Sequence, residues 1–335
     1  MHKRVLITGV AGMIGSHLSD ALLERGYEVI GIDNLSFGKV ENIQHNLVNP
    51  AFHFYRVDIL DFDTLKILGK DIDTIVHLAA VKKIAESDSS MSTLKVNTRG
   101  TENILEVAKM WGAKVVFAST SDVYGMSPDL PFREDGDLLL GPTMIKRWSY
   151  AVSKLYDEQL VFAYYKDYDV PIVILRYFGG FSSRSNFAWS GGHIPIFIHA
   201  ILRNKEVIIH GDGSQSRSMA YALDLVDGTV LAMENENAIG EIINLGSEEE
   251  MSIIDSARLI HRLANTQQEL KLKFVPFEEV FGKNYKDIMR RVPDLTKARK
   301  ILGYEPKYSL EQAIQLTLDE ARKYIEKEAN SRDMT

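Results

Sequence analysis

Short apolar runs alternate with amphipathic stretches along the first half of this chain. Val5–Thr8, Glu28–Ile32, His53–Val57, Thr74–Leu78, Val115–Ala118 and Ile172–Leu175 read as strands. Between them, apolar residues recur at helical spacing over Met13–Glu24, Leu94–Met110 and Ser149–Tyr165. That alternation predicts parallel strands joined by helical crossovers, and short β-rich runs predict a sheet buried on both faces. After Arg176 the rhythm changes. Residues 179–192 are rich in Gly, Ser and Arg and lack a period. A helix over Ile194–Leu202, a strand over Val207–His210 and a turn at Gly211-Asp212-Gly213 follow, and Ala222–Met233 and Glu241–Leu245 return to the sheet. The expectation is an α/β chain, a doubly wound parallel sheet with a smaller, discontinuous C-terminal lobe. The first unit is expected over residues 1–176 plus about 222–246, and the lobe over 177–221 and 247–330.

The turn after the first strand carries the strongest motif. Gly9-Val10-Ala11-Gly12-Met13-Ile14-Gly15 follows Arg4–Thr8 and opens the Met13–Glu24 helix. The first glycine allows the tight strand-to-helix turn. The second admits a pyrophosphate to the helix N-terminus, and the third lets helix and strand pack closely. An ordinary βα turn could hold a lone glycine triplet, but a second strand here ends on Asp33, 18 residues after Gly15. That is near the distance expected for a carboxylate on the adenosine ribose. The unit therefore reads as a Rossmann-type dinucleotide domain. A carboxylate at Asp33 accepts bonds from a ribose 2′-OH and repels a 2′-phosphate, which selects NAD over NADP. Lys39 is read as a solvated loop charge.

Composition narrows the class. The 335 residues suffice for a large core, and 45% apolar with 25% charged is a globular balance. A net charge of −7 argues against a nucleic-acid partner or an anionic membrane surface, and leaves room for a locally basic anion site. Cysteine is absent, which removes disulfides and thiolate chemistry and fits a cytoplasmic location. The first strand starts within five residues of Met1, so no signal peptide is expected, and no apolar run approaches a membrane span.

Tyr150-Ala151-Val152-Ser153-Lys154 places a phenol and an ammonium at i and i+4, on one helix face. Alone, the pair is common on surface helices. After a dinucleotide motif it suggests a tyrosine whose pKa falls under the ammonium and a positive nicotinamide ring, and which acts as base towards a sugar hydroxyl. Ser119-Thr120-Ser121-Asp122-Val123-Tyr124-Gly125 lies just past a strand, at the carboxyl edge where open α/β sheets bind ligands. Its hydroxyls can bond a substrate oxygen, and Asp122 can move a proton. A plain Ser/Thr/Asp turn is the bland alternative. His77, His193 and His210 lack metal-ligand spacing, so no metal is expected. Trp111, Trp148 and Trp189 read as packing residues, with Trp189, in the glycine-rich loop, also placed to face a ligand.

Taken together, these segments resemble the extended short-chain dehydrogenase/reductases of the nucleotide-sugar epimerase, dehydratase and decarboxylase group. The resemblance covers nearly the whole chain. It rests on Thr8-Gly9-x-x-Gly12-x-x-Gly15, Asp33-Asn34-Leu35-Ser36, Asp58-Ile59, His77-Leu78-Ala79-Ala80, Asn97, Ser119-Thr120-Ser121, Tyr150-x-x-x-Lys154 and Arg176-Tyr177-Phe178. Gly211-Asp212-Gly213-Ser214-Gln215-Ser216-Arg217 and Arg291-Val292-Pro293-Asp294 complete it. It implies a tightly held NAD, with Gly9, Gly12, Met13, Ile14 and Gly15 at the pyrophosphate. Asp33, Asn34 and Ser36 would hold adenosine, Asp58 and Ile59 would flank adenine, and Ala79, Ala80 and Asn97 would lie along the cofactor. Tyr150 would be the base, Lys154 would hold the nicotinamide ribose, and Thr120 would bond the reacting hydroxyl. Arg217 and Arg291 would grip the diphosphate of a nucleotide sugar, UDP-linked by preference, and Lys82, Arg184 and His193 would meet the substrate. A homodimer through Leu94–Met110 and Ser149–Tyr165 is also implied.

Departures fall around the sugar. Gly179 stands where the family usually has asparagine, Ser182-Ser183-Arg184 replaces Gly-Pro-Arg, and Phe181–His193 is unusual throughout. The family oxidises sugar C4 and then diverges. A dehydratase commonly has Asp and Glu at the positions of Ser121 and Asp122, a decarboxylase Ser and Glu, and an epimerase two small residues. Ser121-Asp122 matches none of them fully. The expected order is a 4-epimerase of a UDP-hexose or UDP-uronic acid first, a UDP-glucuronic acid decarboxylase second and a 4,6-dehydratase third. An inactive nucleotide-sugar-binding homologue is the alternative of another class.

Overall fold

The structure, a computed structural model, describes residues 3–82, 89–185 and 192–332. Its strands in chain order are β1 (Arg4–Thr8), β2 (Glu28–Ile32), β3 (Phe52–Tyr55), β4 (Thr74–His77), β5 (Lys114–Thr120), β6 (Ile172–Tyr177), β7 (Gly180–Phe181), β8 (Val207–His210), β9 (Ser216–Ser218), β10 (Ala220–Tyr221), β11 (Glu241–Leu245), β12 (Glu250–Ser252) and β13 (Leu272–Val275). The helices that position the site are α1 (Met13–Glu24), α2 (Phe62–Leu68), α3 (Ser90–Trp111), α4 (Trp148–Tyr168), α5 (His193–Leu202), α6 (Ala222–Glu234), α7 (Ile253–Ala264) and α8 (Phe277–Phe281).

Seven strands form one sheet in the order β11-β6-β5-β4-β1-β2-β3, every pairing parallel. Residues alternate between its faces with the period of two that a strand dictates. Val5 and Ile7 pack with Leu18, Leu22 and Val226 on one side. Leu6 packs with Ile75, Ile104 and Phe117 on the other. Both faces are thus covered by helices, which is why β1 reads as a continuous apolar run. A separate apolar cluster, including Phe197, Ile198, Val207, Ile209 and Ile260, joins α5, β8 and α7.

From β1 the chain winds outward to β2 and β3, then returns to place β4 on the other side of β1. That reversal opens a crevice beyond the carboxyl ends of β1 and β4, where ligands of doubly wound sheets bind. Thr8, Gly9, Asp33, His77 and Thr120 all lie at or just past such strand ends.

The predicted α/β doubly wound sheet is the observed architecture, and the differences are local. The third strand runs Phe52–Tyr55 rather than to Val57, although the Val57 N–H still reaches the Asp33 carbonyl at 3.2 Å. The fifth extends to Thr120, whose partner across the ladder is Tyr177. The helix expected over Leu94–Met110 spans Ser90–Trp111, capped by Ser89 and ended by Gly112 at φ 72°. Ala222–Met233 returns to the sheet as a covering helix beside α1, whereas Glu241–Leu245 joins it as an edge strand. Among the described residues no helix is long and apolar enough to cross a membrane.

Candidate active site

The cofactor end is built by α1. Gly9 turns the chain at φ 72°, and a Cβ on Gly15 would stand 2.3 Å from the Gly9 carbonyl oxygen. Glycine alone permits that approach. No side chain caps α1 and no acid lies in its first turn. Its leading N–H groups therefore face the crevice ready for an anion, and the helix dipole adds to the attraction. Gly12, Met13 and Ile14 line the cavity there.

At the end of β2 the Asp33 carboxylate accepts the N–H groups of Ala11 at 3.0 Å and Leu35 at 2.8 Å. Burial pushes its pKa up, and those two donors oppose the rise. Each oxygen keeps a lone pair for a ribose hydroxyl. Ser36, Ile59, Ala79 and Ala80 line the same recess. Asn34 donates to Asp58 at 2.8 Å, and Asp58 also accepts the Leu60 N–H at 2.9 Å, so Asp58 braces the recess. Asn97 departs from its expected place on the cofactor. Its amide accepts from Val81 N–H at 2.7 Å and donates to the Val81 carbonyl and the Ser153 hydroxyl, so it fixes the loop after β4. These residues fit NAD. Asp33→Ala is expected to weaken NAD binding and to raise the relative affinity for NADP, read by titration of both cofactors. Tighter NADP than NAD binding to the unaltered protein would refute this account of Asp33.

A cavity of about 410 Å³ runs from Gly9 and Gly12 past Thr120, Ser121 and Tyr150 to Arg217 and Arg291. Tyr150 and Lys154 project into it from α4, both buried. Lys154 Nζ donates to the Ala118 carbonyl at 2.9 Å and lies 4.5 Å from the centre of the Phe117 ring. The expected lowering of the Tyr150 phenol is not found in the protein alone. Burial and the charges of Asp122 and Asp157 push its pKa up, against the Thr120 hydroxyl and Arg147, which pull it down.

Asp122 also differs from its expected role. It is fully buried and meets Arg291 at 2.7 Å, Arg147 at 2.8 Å and Lys82 at 3.0 Å. Burial opposes its charge, but the three cations hold the carboxyl well below its usual range. An acid so held does not shuttle protons. It anchors a strongly positive patch in the cavity beside Tyr150, and Lys82 lies over the Tyr150 ring at 5.3 Å. Arg147 is a site residue that the sequence reading missed. An arginine beside Lys146 at a helix start reads as a solvated charge, yet its side chain is 4% exposed.

The remaining candidates divide. Arg217 lines the cavity, backed by Asp287 at 2.8 Å and by the Ile288 carbonyl at 2.6 Å. Tyr285, also missed, orients Asp287 through a 2.7 Å bond. His193 lines the cavity, its pKa driven to about 3 by burial and by Arg217, so it is neutral. Arg184 does not reach this cavity. It pairs with Asp20 of α1 at 2.8 Å and lines a recess on the cofactor side with Gly12 and Met13. Trp148 is buried, whereas Trp111 is 40% exposed and donates to the Lys66 carbonyl at 3.0 Å. Trp189 falls within residues 186–191, outside the described residues.

Residues 6–317 match the GDP-mannose 4,6 dehydratase family. A UDP-N-acetyl-alpha-D-glucosaminuronate decarboxylase of Bacillus cytotoxicus is 39% identical over 319 residues, covering 95% of this chain and 97% of that protein. UDP-glucuronic acid decarboxylase 1 of Xenopus tropicalis is 34% identical over 98% of this chain and 74% of its own length. Among solved structures, the UDP-glucuronic acid 4-epimerase of Bacillus cereus, in complex with UDP-glucuronic acid and NAD, superposes with a TM-score of 0.86 at 33% identity. It covers 96% of this chain and 99% of its own. The chain belongs to the NAD-dependent nucleotide-sugar epimerase, dehydratase and decarboxylase family of extended short-chain dehydrogenase/reductases, and is an enzyme of that kind.

Proposed function

We propose that this enzyme decarboxylates a UDP-linked hexuronic acid through a 4-keto intermediate. The observation that carries the reading is the group of Lys82, Arg147 and Arg291 around buried Asp122, with Arg291 turned to that acid and not left for the diphosphate as the resemblance implied. A neutral hexose has no use for so many cations. A sugar carboxylate does, because guanidinium forks and an ammonium offer it charge-assisted bonds.

Bound NAD would accept a hydride from sugar C4 and return one within the same turnover. Tyr150 would take the C4 hydroxyl proton, with Thr120 bonding the same oxygen. Lys154 would hold the nicotinamide ribose. Arg217, backed by Asp287, would meet the diphosphate. Oxidation at C4 makes the C6 carboxylate that of a β-keto acid. The C5–C6 bond can then break with its electron pair drawn towards the C4 oxygen, where Thr120 and the protonated Tyr150 donate hydrogen bonds. CO₂ leaves, a proton drawn from solvent adds at C5, and Tyr150 returns its proton to the C4 oxygen as hydride comes back to C4. Asp122 contributes by repulsion, since its charge opposes a second carboxylate beside it and that opposition ends when neutral CO₂ departs.

Two observations favour a second reading, 4-epimerisation of the same uronate: the small Ser121 and the likeness to the Bacillus cereus epimerase. Incubation with UDP-glucuronate and UDP-N-acetylglucosaminuronate, read by product mass and sugar NMR, separates the two. Loss of CO₂ to a nucleotide pentose is expected. An unchanged mass with inverted C4 would replace this proposal with the second. We also read the enzyme as a homodimer paired through α3 and α4, with residues 1–176 and about 222–246 as the NAD domain and the rest as the substrate lobe.

A further inference from the structure

α4 carries a buried acid that the chemistry above does not use. Asp157 follows Lys154 by three residues on one helix face and has no exposed surface. Among the described residues, neither of its carboxylate oxygens receives a hydrogen bond of ordinary geometry. A buried carboxylate in that state is costly unless a charge or donor faces it. Lys154, 2% exposed, is the cation available, and the Ala118 carbonyl it bonds does not neutralise it. The neighbouring acid, Glu158, also favours the Lys154 charge but is paired elsewhere. Glu158 accepts Arg176 at 2.7 and 2.9 Å and the Ser119 hydroxyl at 2.5 Å.

A line of hydroxyls leads to Asp157 from behind. Thr8 Oγ1 accepts the N–H groups of Leu78 at 3.1 Å and Ala79 at 3.0 Å, so its own proton turns to His77 Nδ1 at 2.7 Å. His77 is neutral, its pKa pushed to about 3 by burial and by Lys154. Nε2 then carries the ring proton and donates it to Thr101 Oγ1 at 3.2 Å. The Thr101 proton is left to face Asp157, where it favours the charged carboxylate.

We propose that Asp157 is a positioning residue that keeps the buried Lys154 ammonium charged behind the nicotinamide-ribose site. The catalytic meaning of this rests on the assignment of Tyr150 and Lys154 above. The charge coupling itself does not. The groups facing Asp157 are Lys154, Glu158 and the Tyr150 phenol on α4, Thr101 on α3, and, through Thr101, His77 on β4. Arg176 on β6 acts through Glu158. Burial lifts the Asp157 carboxyl to about 6, with Glu158 adding to the rise and Lys154 and Thr101 opposing it. The support for Lys154 is therefore present at neutral pH and fades as pH falls through that value.

The test is NMR of the holoenzyme with ζ-¹⁵N-lysine, the Lys154 ammonium peak being identified by its loss in Lys154→Met. In Asp157→Asn the titration midpoint of that ammonium should fall by about one unit or more, tenfold in its acid constant. Asp157→Glu, which keeps the charge, should recover most of the shift. Reciprocally, the Asp157 carboxyl, followed by ¹³C, should titrate higher in Lys154→Met than in the unaltered protein. That comparison needs no Asp157 variant to fold. An unmoved Lys154 midpoint in Asp157→Asn, an unmoved Asp157 midpoint in Lys154→Met, or no Lys154 ammonium peak at neutral pH would overturn the proposal. Intact coupling in a protein whose Tyr150→Phe variant turns over normally would leave the proposal standing and remove the reaction assigned to the pair.

Discussion

Tyr150→Phe is expected to lower turnover by about 10²–10⁴-fold, the usual worth of a positioned base, while substrate and NAD bind almost as before. The lost atom is the hydroxyl that faces Thr120, and the ring that packs beside Phe281 remains. The contacts proposed for the diphosphate and the adenosine lie elsewhere, at Arg217 and in the recess at Asp33. The pH dependence carries a second signature. In the protein alone, burial and the Asp122 charge raise the phenol, so the base form is scarce at neutral pH. In the unaltered enzyme kcat/KM should therefore rise with pH as the phenol ionises. That rise should be missing from the residual activity of the variant. Thr120→Ala should cost less, because it removes one hydrogen bond and leaves the base. Near-normal turnover of Tyr150→Phe on the true substrate, measured by product formation, would rule Tyr150 out as the base.

What the sequence disclosed follows from how each signal is encoded. The β1–α1 turn was legible because three glycines, a following helix period and Asp33 lie within one local stretch. Tyr150 and Lys154 were legible because a helix fixes the geometry of i and i+4. Arg147, Asp157 and Tyr285 were not. α4 turns a polar face inward, burying Tyr150, Ser153, Lys154, Asp157 and Glu158, and so inverts the rule that charged helix positions face water. Asp122 was noticed and its role misjudged. Its proton affinity depends on Lys82, Arg147 and Arg291, which come from three distant parts of the chain, and no local pattern shows that they converge. The phenol of Tyr150 was misjudged for the same reason. Spacing showed an ammonium nearby but not the depth of burial or the carboxylate in front of it.

Asp122→Asn should weaken folding and turnover together, and should tighten the grip on a uronate. The substitution keeps the shape and removes the only anion in contact with Arg147, Lys82 and Arg291 among the described residues. Breaking a buried pair in this way typically costs about 3–5 kcal/mol, and the Asp287 charge that still acts on Arg147 and Arg291, with the partial exposure of Lys82, places the expected loss at the lower end. The pH dependence has a definite sign. The folded-state pKa of Asp122 is depressed, so its contribution is present above the ordinary carboxylate range and is lost as pH falls through the folded value. Thermal melts of the two proteins should therefore differ most at neutral pH and converge as the solution is made strongly acidic. Adding a nucleotide-uronate should reverse part of the defect, since its carboxylate brings a counter-charge back beside the three cations. Its thermal shift should be larger in Asp122→Asn than in the unaltered enzyme. The tighter ground state then works against the reaction. Each ~1.4 kcal/mol of extra binding that the transition state does not share lowers kcat about tenfold. A lower KM with a lower kcat is the expected pair of changes. A variant with an unaltered melt and unaltered kinetics would mean that the cations do not depend on Asp122, and the carboxylate site proposed here would lose its foundation.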